Sequence, residues 1–187
     1  NVLNRFPLMV QNLGNVYGKV VELKLTGTQV LVDKAIAEKL YDPLLHLVRN
    51  AFDHGIEPPE IRRERGKSEQ GLIEICAYHQ GSQTIIEVRD NGQGLNYQKI
   101  RSKGIELGLI QPDNVAYEEL LELLFSPGFS TAGKVSEISG RGMGLDIVRS
   151  GLQSLNGSIA VQSLPNQGTI FVLKIPFSMT TDQLMIV

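Results

Sequence analysis

His46-Leu47-Val48-Arg49-Asn50-Ala51-Phe52-Asp53-His54-Gly55-Ile56-Glu57 carries two patterns at once. Read as a helix, the segment puts Leu44, Leu47, Val48 and Ala51 on one apolar stripe at i, i+3, i+4 and i+7. His46, Arg49, Asn50 and Asp53 share the opposite side at the same spacing. An ordinary surface helix carries Lys, Glu and Gln there. This face instead mixes imidazole, guanidinium, amide and carboxylate, and by itself it reads equally as a solvated surface and as one wall of a site.

Working outward toward the N-terminus, Asp33 is placed to cap a helix beginning at Lys34. Pro43 either interrupts that helix or opens the next one at its first turn. Before it, Val21, Leu23 and Leu25 alternate with Glu22 and Lys24, the pattern of a half-buried strand. Thr26-Gly27-Thr28-Gln29 turns the chain, and Val30-Leu31-Val32 reads as a second strand. Residues 1–16 alternate loosely and read as the end of an upstream helix with its connection.

Toward the C-terminus, Gly55 stops the helix, and Glu57-Pro58-Pro59-Glu60 opens a charged, mobile excursion through Gly71. Residues 72–78 and 84–90 read as strands joined around Gly81-Ser82. Helices are expected near 97–107 and 115–124, and the run 125–144 is rich in Gly, Ser and Thr. A further helix carries Leu145, Val148, Leu152 and Leu155 on its stripe and ends at Asn156-Gly157. Residues 158–163 and 169–175 close as a hairpin around Pro165-Asn166-Gln167-Gly168. Paired strands with helices gathered between them predict a mixed sheet with helices on one face, an α/β sandwich rather than a doubly wound fold.

The 187 residues suffice for one sizeable core and about one domain. Lys+Arg 18 against Asp+Glu 20 leaves a net charge of −2, so nothing points to a nucleic-acid surface. A single cysteine, Cys76, excludes an internal disulfide framework and suits a reducing cytoplasm. No apolar run reaches the length needed to cross a bilayer, so no membrane insertion is expected. The chain begins at Asn1 with neither Met nor a signal pattern, and reads as a piece of a larger protein.

Two further clusters bear on the polar helix face. Asp90-Asn91-Gly92-Gln93-Gly94 ends a strand in which Ile86 and Val88 share the Asp90 side. A carboxylate on the core side of a sheet is costly without a partner, which the amine of a buried ligand would supply. Gly140-Arg141-Gly142-Met143-Gly144-Leu145 precedes a helix, where free N–H groups and the helix dipole favour an anion. Its spacing is not Gly-x-Gly-x-x-Gly. Gly66-Lys67-Ser68 is no Walker loop either, because Ile61 stands where the first glycine belongs. An Asn on a helix, a buried Asp before Gly-x-Gly and a glycine-rich helix start together describe a nucleotide site serving a divalent metal, a base amine and a polyphosphate.

In these residues the chain resembles the ATP-binding catalytic domain of histidine kinases, within the wider group of gyrase, heat-shock chaperone and mismatch-repair ATPases. The likeness is strongest to the CheA-type chemotaxis kinases. The stretch 46–57 is similar to their first box and 90–94 to the next. Phe125-Ser126-Pro127-Gly128-Phe129-Ser130-Thr131 is similar to the phenylalanine box, 140–145 to the last glycine box, and Gly168-Thr169 to the element closing the adenine pocket. The resemblance implies a two-layer α/β sandwich of Bergerat type, with a mixed, mostly antiparallel sheet and helices on one face.

It also implies roles. Asn50 would bind Mg²⁺, and Asp90 would accept from the adenine amine with Thr169 supporting that edge. Gly92, Gly94 and Leu95 would shape the adenine pocket. Gly140, Arg141, Gly142, Met143, Gly144 and Leu145 would belong to a phosphate lid. His54 would reach the phosphates or ribose, with Arg49, Asp53, Lys99, Ser130 and Thr131 nearby. His46 takes the place that a water-activating Glu holds in the related ATPases, where it would orient a reacting group or act as a weak base. The lysine that relatives place after Phe-Ser-Thr is replaced by Ala132-Gly133-Lys134.

The implied activity is transfer of the γ-phosphoryl of Mg-ATP to a histidine on a separate phosphotransfer domain. A response regulator, a CheW-like adaptor and chemoreceptors would follow through the parent protein, a cytoplasmic homodimer. On this reading 1–16 ends a dimerisation region, 17–177 is the kinase domain and 178–187 begins a coupling domain.

Overall fold

The computed structural model of the chain describes residues 2–31, 33–129 and 144–176. Alternation of apolar and polar side chains builds five strands, Val21–Thr26 (β1), Gly71–Gln80 (β2), Gln83–Asp90 (β3), Ser158–Leu164 (β4) and Gly168–Pro176 (β5). They form one sheet in the order β1-β2-β3-β5-β4, with β1 parallel to β2 and the other pairs antiparallel. Leu23, Ile75, Val88, Phe171 and Val161 lie on the buried inner face, whereas Glu22, Lys24, Arg89 and Lys174 point outward. The expected mixed, mostly antiparallel two-layer sandwich is therefore the observed one.

The helices are Phe6–Tyr17 (α1), Lys34–Asn50 (α2), Pro59–Glu64 (α3), Tyr97–Glu106 (α4), Tyr117–Leu123 (α5) and Leu145–Gln153 (α6). Asp33 starts α2 as expected, its carboxylate accepting from the N–H groups of Ala35 at 2.9 Å and Ile36 at 3.2 Å. Leu40, Leu44, Leu47 and Val48 of α2 are fully buried. Burying each such side chain is worth about 1.5–3 kcal/mol. This stripe fixes the roll of α2 and so the direction of its polar face.

Three local expectations are corrected. The strand expected at 30–32 does not form at Val30 or Leu31, where a 3₁₀ turn, Thr28–Val30, has local bonds (Val30 N to Gly27 O, Leu31 N to Thr28 O) that take up donors a ladder needs, and Val32 lies outside the described residues. Gly27 starts it at φ +71°, so close to β2 that a Cβ would stand 2.2 Å from Ala77 O. Neither expectation for Pro43 holds. It sits inside an unbroken α2, buried, and faces Gly151 of α6, where an added Cβ would stand 3.7 Å from its ring.

The stretch 57–71 is not a mobile excursion. It contains α3, and Glu57 and Arg62 are buried against each other at 2.8 Å. Residues 2–17 are a short 3₁₀ turn, Val2–Arg5, and α1, as a helical reading requires, but Leu3, Phe6 and Val10 join the main core. Phe6 stacks on Tyr41 of α2 at 5.1 Å. Segment 178–187 lies outside the described residues.

Candidate functional site

The turn that follows α2, Ala51–Gly55, widens to π geometry, with the Ile56 N–H donating to Ala51 O at 2.8 Å. Such turns re-aim side chains and recur at functional sites. Lys19, just before β1, clamps this one. Its ammonium donates to Phe52 O at 2.5 Å and Asp53 O at 3.3 Å, and lies 5.0 Å over the Phe52 ring. Burial lowers its pKa from the usual lysine value, with the Asp53 carboxylate pulling the other way.

Across from the π turn, the register of β3 with β2 and β5 places Asp90 opposite Ile73 and Thr169, on the inner face. The Gly92 N–H donates to Asp90 Oδ1 at 2.9 Å. Burial nevertheless lifts the Asp90 pKa from 3.8 to about 6, against the backbone bonds from Gly92 and Thr169. The room around this carboxylate is made by glycines. A Cβ on Gly55 would meet both Asp90 oxygens at 3.0 Å, and one on Gly92 would lie 2.0 Å from Gly55 O.

Asn50, His54, Asp90, Gly94, Leu95, Lys99, Leu145 and Thr169 line one cavity of about 360 Å³. Helix α2, the π turn, β3, α4, α6 and β5 thus converge on it, and among the described residues each of the three sequence clusters contributes at least one wall residue. Apolar walls come from Ala51, Ile100, Leu124, Phe129 and Phe171. A carboxylate stands on the sheet side, and α4 supplies cations.

The other expected residues stand beside the cavity rather than on its wall. Arg49 and Asp53 pair with each other at 3.3 Å, one turn apart, and Arg49 Nε is buried with no hydrogen-bond partner among the described residues. Gly92 lies behind Asp90. Gly144 precedes the first turn of α6, its carbonyl accepting from Ile147 N. His46, one turn before Asn50, is half-buried. Burial lowers its pKa, opposed by Asp146 at the start of α6. Ser130, Thr131, Gly140, Arg141, Gly142 and Met143 lie outside the described residues.

Two contributors escape the sequence reading. Lys103 follows Lys99 by one turn, lines the cavity, and holds its ammonium 5.0 Å over the Phe129 ring. The i, i+4 spacing from Lys99 was the available signal. Ser163 accepts from the Leu95 N–H at 2.7 Å and sits 3.0 Å from the Thr169 hydroxyl, joining two cavity residues. Nothing local in sequence marks it, because the contact follows from the register of β4 on β5.

As for a cofactor, an amide oxygen is a donor of the kind hard cations take. Asn50 offers one amide oxygen, and no group of three or more His, Cys, Asp or Glu able to hold a metal occurs among the described residues. No helix among them is long and apolar enough to cross a membrane.

Comparisons with known proteins agree with this architecture. The chain is 42% identical over 189 residues to the chemotaxis protein CheA of Bacillus subtilis (strain 168), a match covering 100% of the chain and 28% of that protein. It is 43% identical over 178 residues to the CheA of Salmonella typhimurium, covering 95% and 26%. To the sensor histidine kinase CheAY of Helicobacter pylori it is 41% identical over 189 residues, covering 100% and 24%. The chain thus spans about a quarter of the length of these relatives.

The solved catalytic domain of histidine kinase ThkA shares the fold at TM-score 0.51 and 19% identity, over 93% of the chain and 91% of that domain. A histidine kinase domain from an Erythrobacter litoralis blue-light activated kinase shares it at TM-score 0.53 and 15% identity, over 95% and 64%. Residues 36–179 match the family described as histidine kinase-, DNA gyrase B-, and HSP90-like ATPase. With this match covering most of the chain, and a cavity built from the ordered boxes, the chain belongs to the family of histidine kinase-, DNA gyrase B- and HSP90-like ATPases.

Proposed function

We infer that the chain is the ATP-binding domain of a two-component histidine kinase of the CheA type, which passes the γ-phosphoryl group of Mg-ATP to a histidine on a separate phosphotransfer domain. The observation that carries this reading is the shared cavity, in which Asn50 and His54 stand opposite a buried acceptor, Asp90, beside two lysines of α4. Asp90 accepts from the adenine amine, and Thr169 with Ser163 braces that edge. Gly94 and Leu95 shape the pocket, with Gly92 setting the acceptor from behind. Lys99, Lys103 and His54 face the phosphates, with Arg49 and Asp53 adjoining.

Asn50 would hold Mg²⁺ together with phosphate oxygens, and the ion would supply charge neutralisation there. Gly144 and Leu145 begin the helix that follows the glycine box. Ser130, Thr131, Gly140, Arg141, Gly142 and Met143 complete the phosphate lid on this reading.

Little covalent chemistry falls to the protein in phosphoryl transfer, so positioning and electrostatics dominate. Position 46 is His, where a hydrolysing member of the family needs a water-activating Glu. That supports retention of ATP for a protein acceptor, with His46 orienting the reacting group. The division into 1–16, 17–177 and 178–187 belongs to the same proposal. So do a response regulator, a CheW-like adaptor and chemoreceptors as partners, a homodimeric parent and a cytoplasmic location.

Incubation with γ-labelled ATP and a histidine phosphotransfer domain tests it. Label on the acceptor histidine is the expected result. Free phosphate alone makes the chain a hydrolysing ATPase of the gyrase type, and ATP bound without turnover makes it a binding module.

A further inference from the structure

The Gly66-Lys67-Ser68 segment, which is no phosphate loop, turns out to face the back of the Asp90 loop. Glu57 lies at its centre, its side chain 1% exposed, and takes three cations: Arg62 and Lys67 at 2.8 Å and Arg65 at 3.1 Å. Burial alone would raise the Glu57 pKa, but its hydrogen bonds and the charges of Lys67 and Arg62 outweigh that and hold it below the usual carboxylate value. Ion pairs this deep are weak stabilisers, because desolvation cancels most of their attraction. Their geometry says more.

Two of the three cations reach past Glu57 to the same loop. Lys67 Nζ donates to Asn91 O at 3.2 Å and Gly92 O at 2.8 Å, and Arg62 donates to Asn91 O at 3.2 Å. Asn91 O and the Gly92 N–H belong to one peptide unit, which is planar and points its C=O and N–H in opposite directions. The carbonyl end of that unit is held by Arg62 and Lys67, and its N–H end donates to Asp90 Oδ1 at 2.9 Å. Cations on the carbonyl polarise the N–H toward the carboxylate. Arg65, 39% exposed, touches Glu57 and not the loop.

We propose that Lys67 and Arg62, gathered by Glu57, are positioning residues that aim Asp90 at the nucleotide base through the Asn91–Gly92 peptide. The inference rests on the reading of Asp90 as the acceptor of the adenine 6-amine. It adds that base selectivity depends on side chains that hold the Asn91–Gly92 loop and do not line the cavity.

Calorimetric titration of the full chain with ATP and with purine riboside 5′-triphosphate, which lacks the 6-amine, tests it. A hydrogen bond to a charged acceptor gives a preference for ATP of about tenfold or more in the unchanged chain. Lys67→Met should shrink that preference several-fold while leaving the affinity for the riboside nearly as it was. Lys67→Arg should restore the preference, and Arg65→Ala should not alter it.

An unaltered ATP preference in folded Lys67→Met, or an equal loss for both nucleotides, overturns the positioning role. Should Lys67→Met not fold, Lys67→Gln carries the same comparison. If the unchanged chain binds both nucleotides equally, Asp90 is not the amine acceptor and the proposed base recognition fails with it. If it binds neither, the nucleotide-site reading itself is wrong.

Discussion

Asp90 binds its proton more tightly in the folded chain than in the unfolded one, its pKa rising from 3.8 to about 6 through burial. Between those values the unfolded state has released a proton that the folded state keeps, so stability falls as pH rises. The penalty is complete above pH 6 and amounts to at most about 3 kcal/mol, at 1.36 kcal/mol per unit. Glu57, held low by its cations, acts in the opposite sense and withdraws stability only as the solution turns more acid. Urea unfolding of the nucleotide-free chain should therefore show Asp90→Asn losing the decline between pH 4 and 6 that the unchanged chain displays. Equal slopes in the two proteins would assign that titration elsewhere. Asn50 makes a different prediction, since it lines the cavity and contributes nothing to the leucine stripe. Asn50→Ala should abolish Mg-ATP-dependent phosphotransfer with little change in thermal midpoint, and a fully active variant would remove it from the metal.

The π turn is the element that most depends on distant help. Two of its carbonyls, of Phe52 and Asp53, receive the Lys19 ammonium. Leaving buried carbonyls without a donor costs about 1–3 kcal/mol. Lys19→Met should lose that much stability in chemical denaturation, and a change well below 0.5 kcal/mol, roughly the scatter of surface substitutions, would mean that water replaces the amine. The same dependence explains what sequence could and could not disclose. The Asp33 cap, the two hairpins and the stripe of α6 are written in neighbouring residues, so local rules found them. The placement of Asp90 followed from strand alternation with Ile86 and Val88. The π turn is set by a lysine far back in the chain, and Glu57 with Arg62 looks in sequence like any solvated charge pair. Val30 has a strand former's side chain, but the close approach of Gly27 to Ala77 O decides the local path.

At the scale of the whole molecule, a ligand that binds only the folded chain stabilises it by RT ln(1 + [L]/Kd), about 2.7 kcal/mol at a hundredfold excess over Kd. The thermal midpoint should rise with added ATP and rise much less for Asp90→Asn at the same concentration, as scanning fluorimetry would record. Connectivity adds a second consequence. β2 and β3, like β4 and β5, are chain neighbours across tight turns, whereas β1 meets β2 in parallel with residues 27–70 intervening. Closing that long segment costs chain entropy before the pairing returns anything, so β1 should dock late and open early. Amide exchange in Val21–Thr26 should accordingly run faster than in β3, which has a strand on both sides. Lys19 precedes that strand by two residues, so each time the edge frays, the turn after Asn50 loses its clamp in the same event.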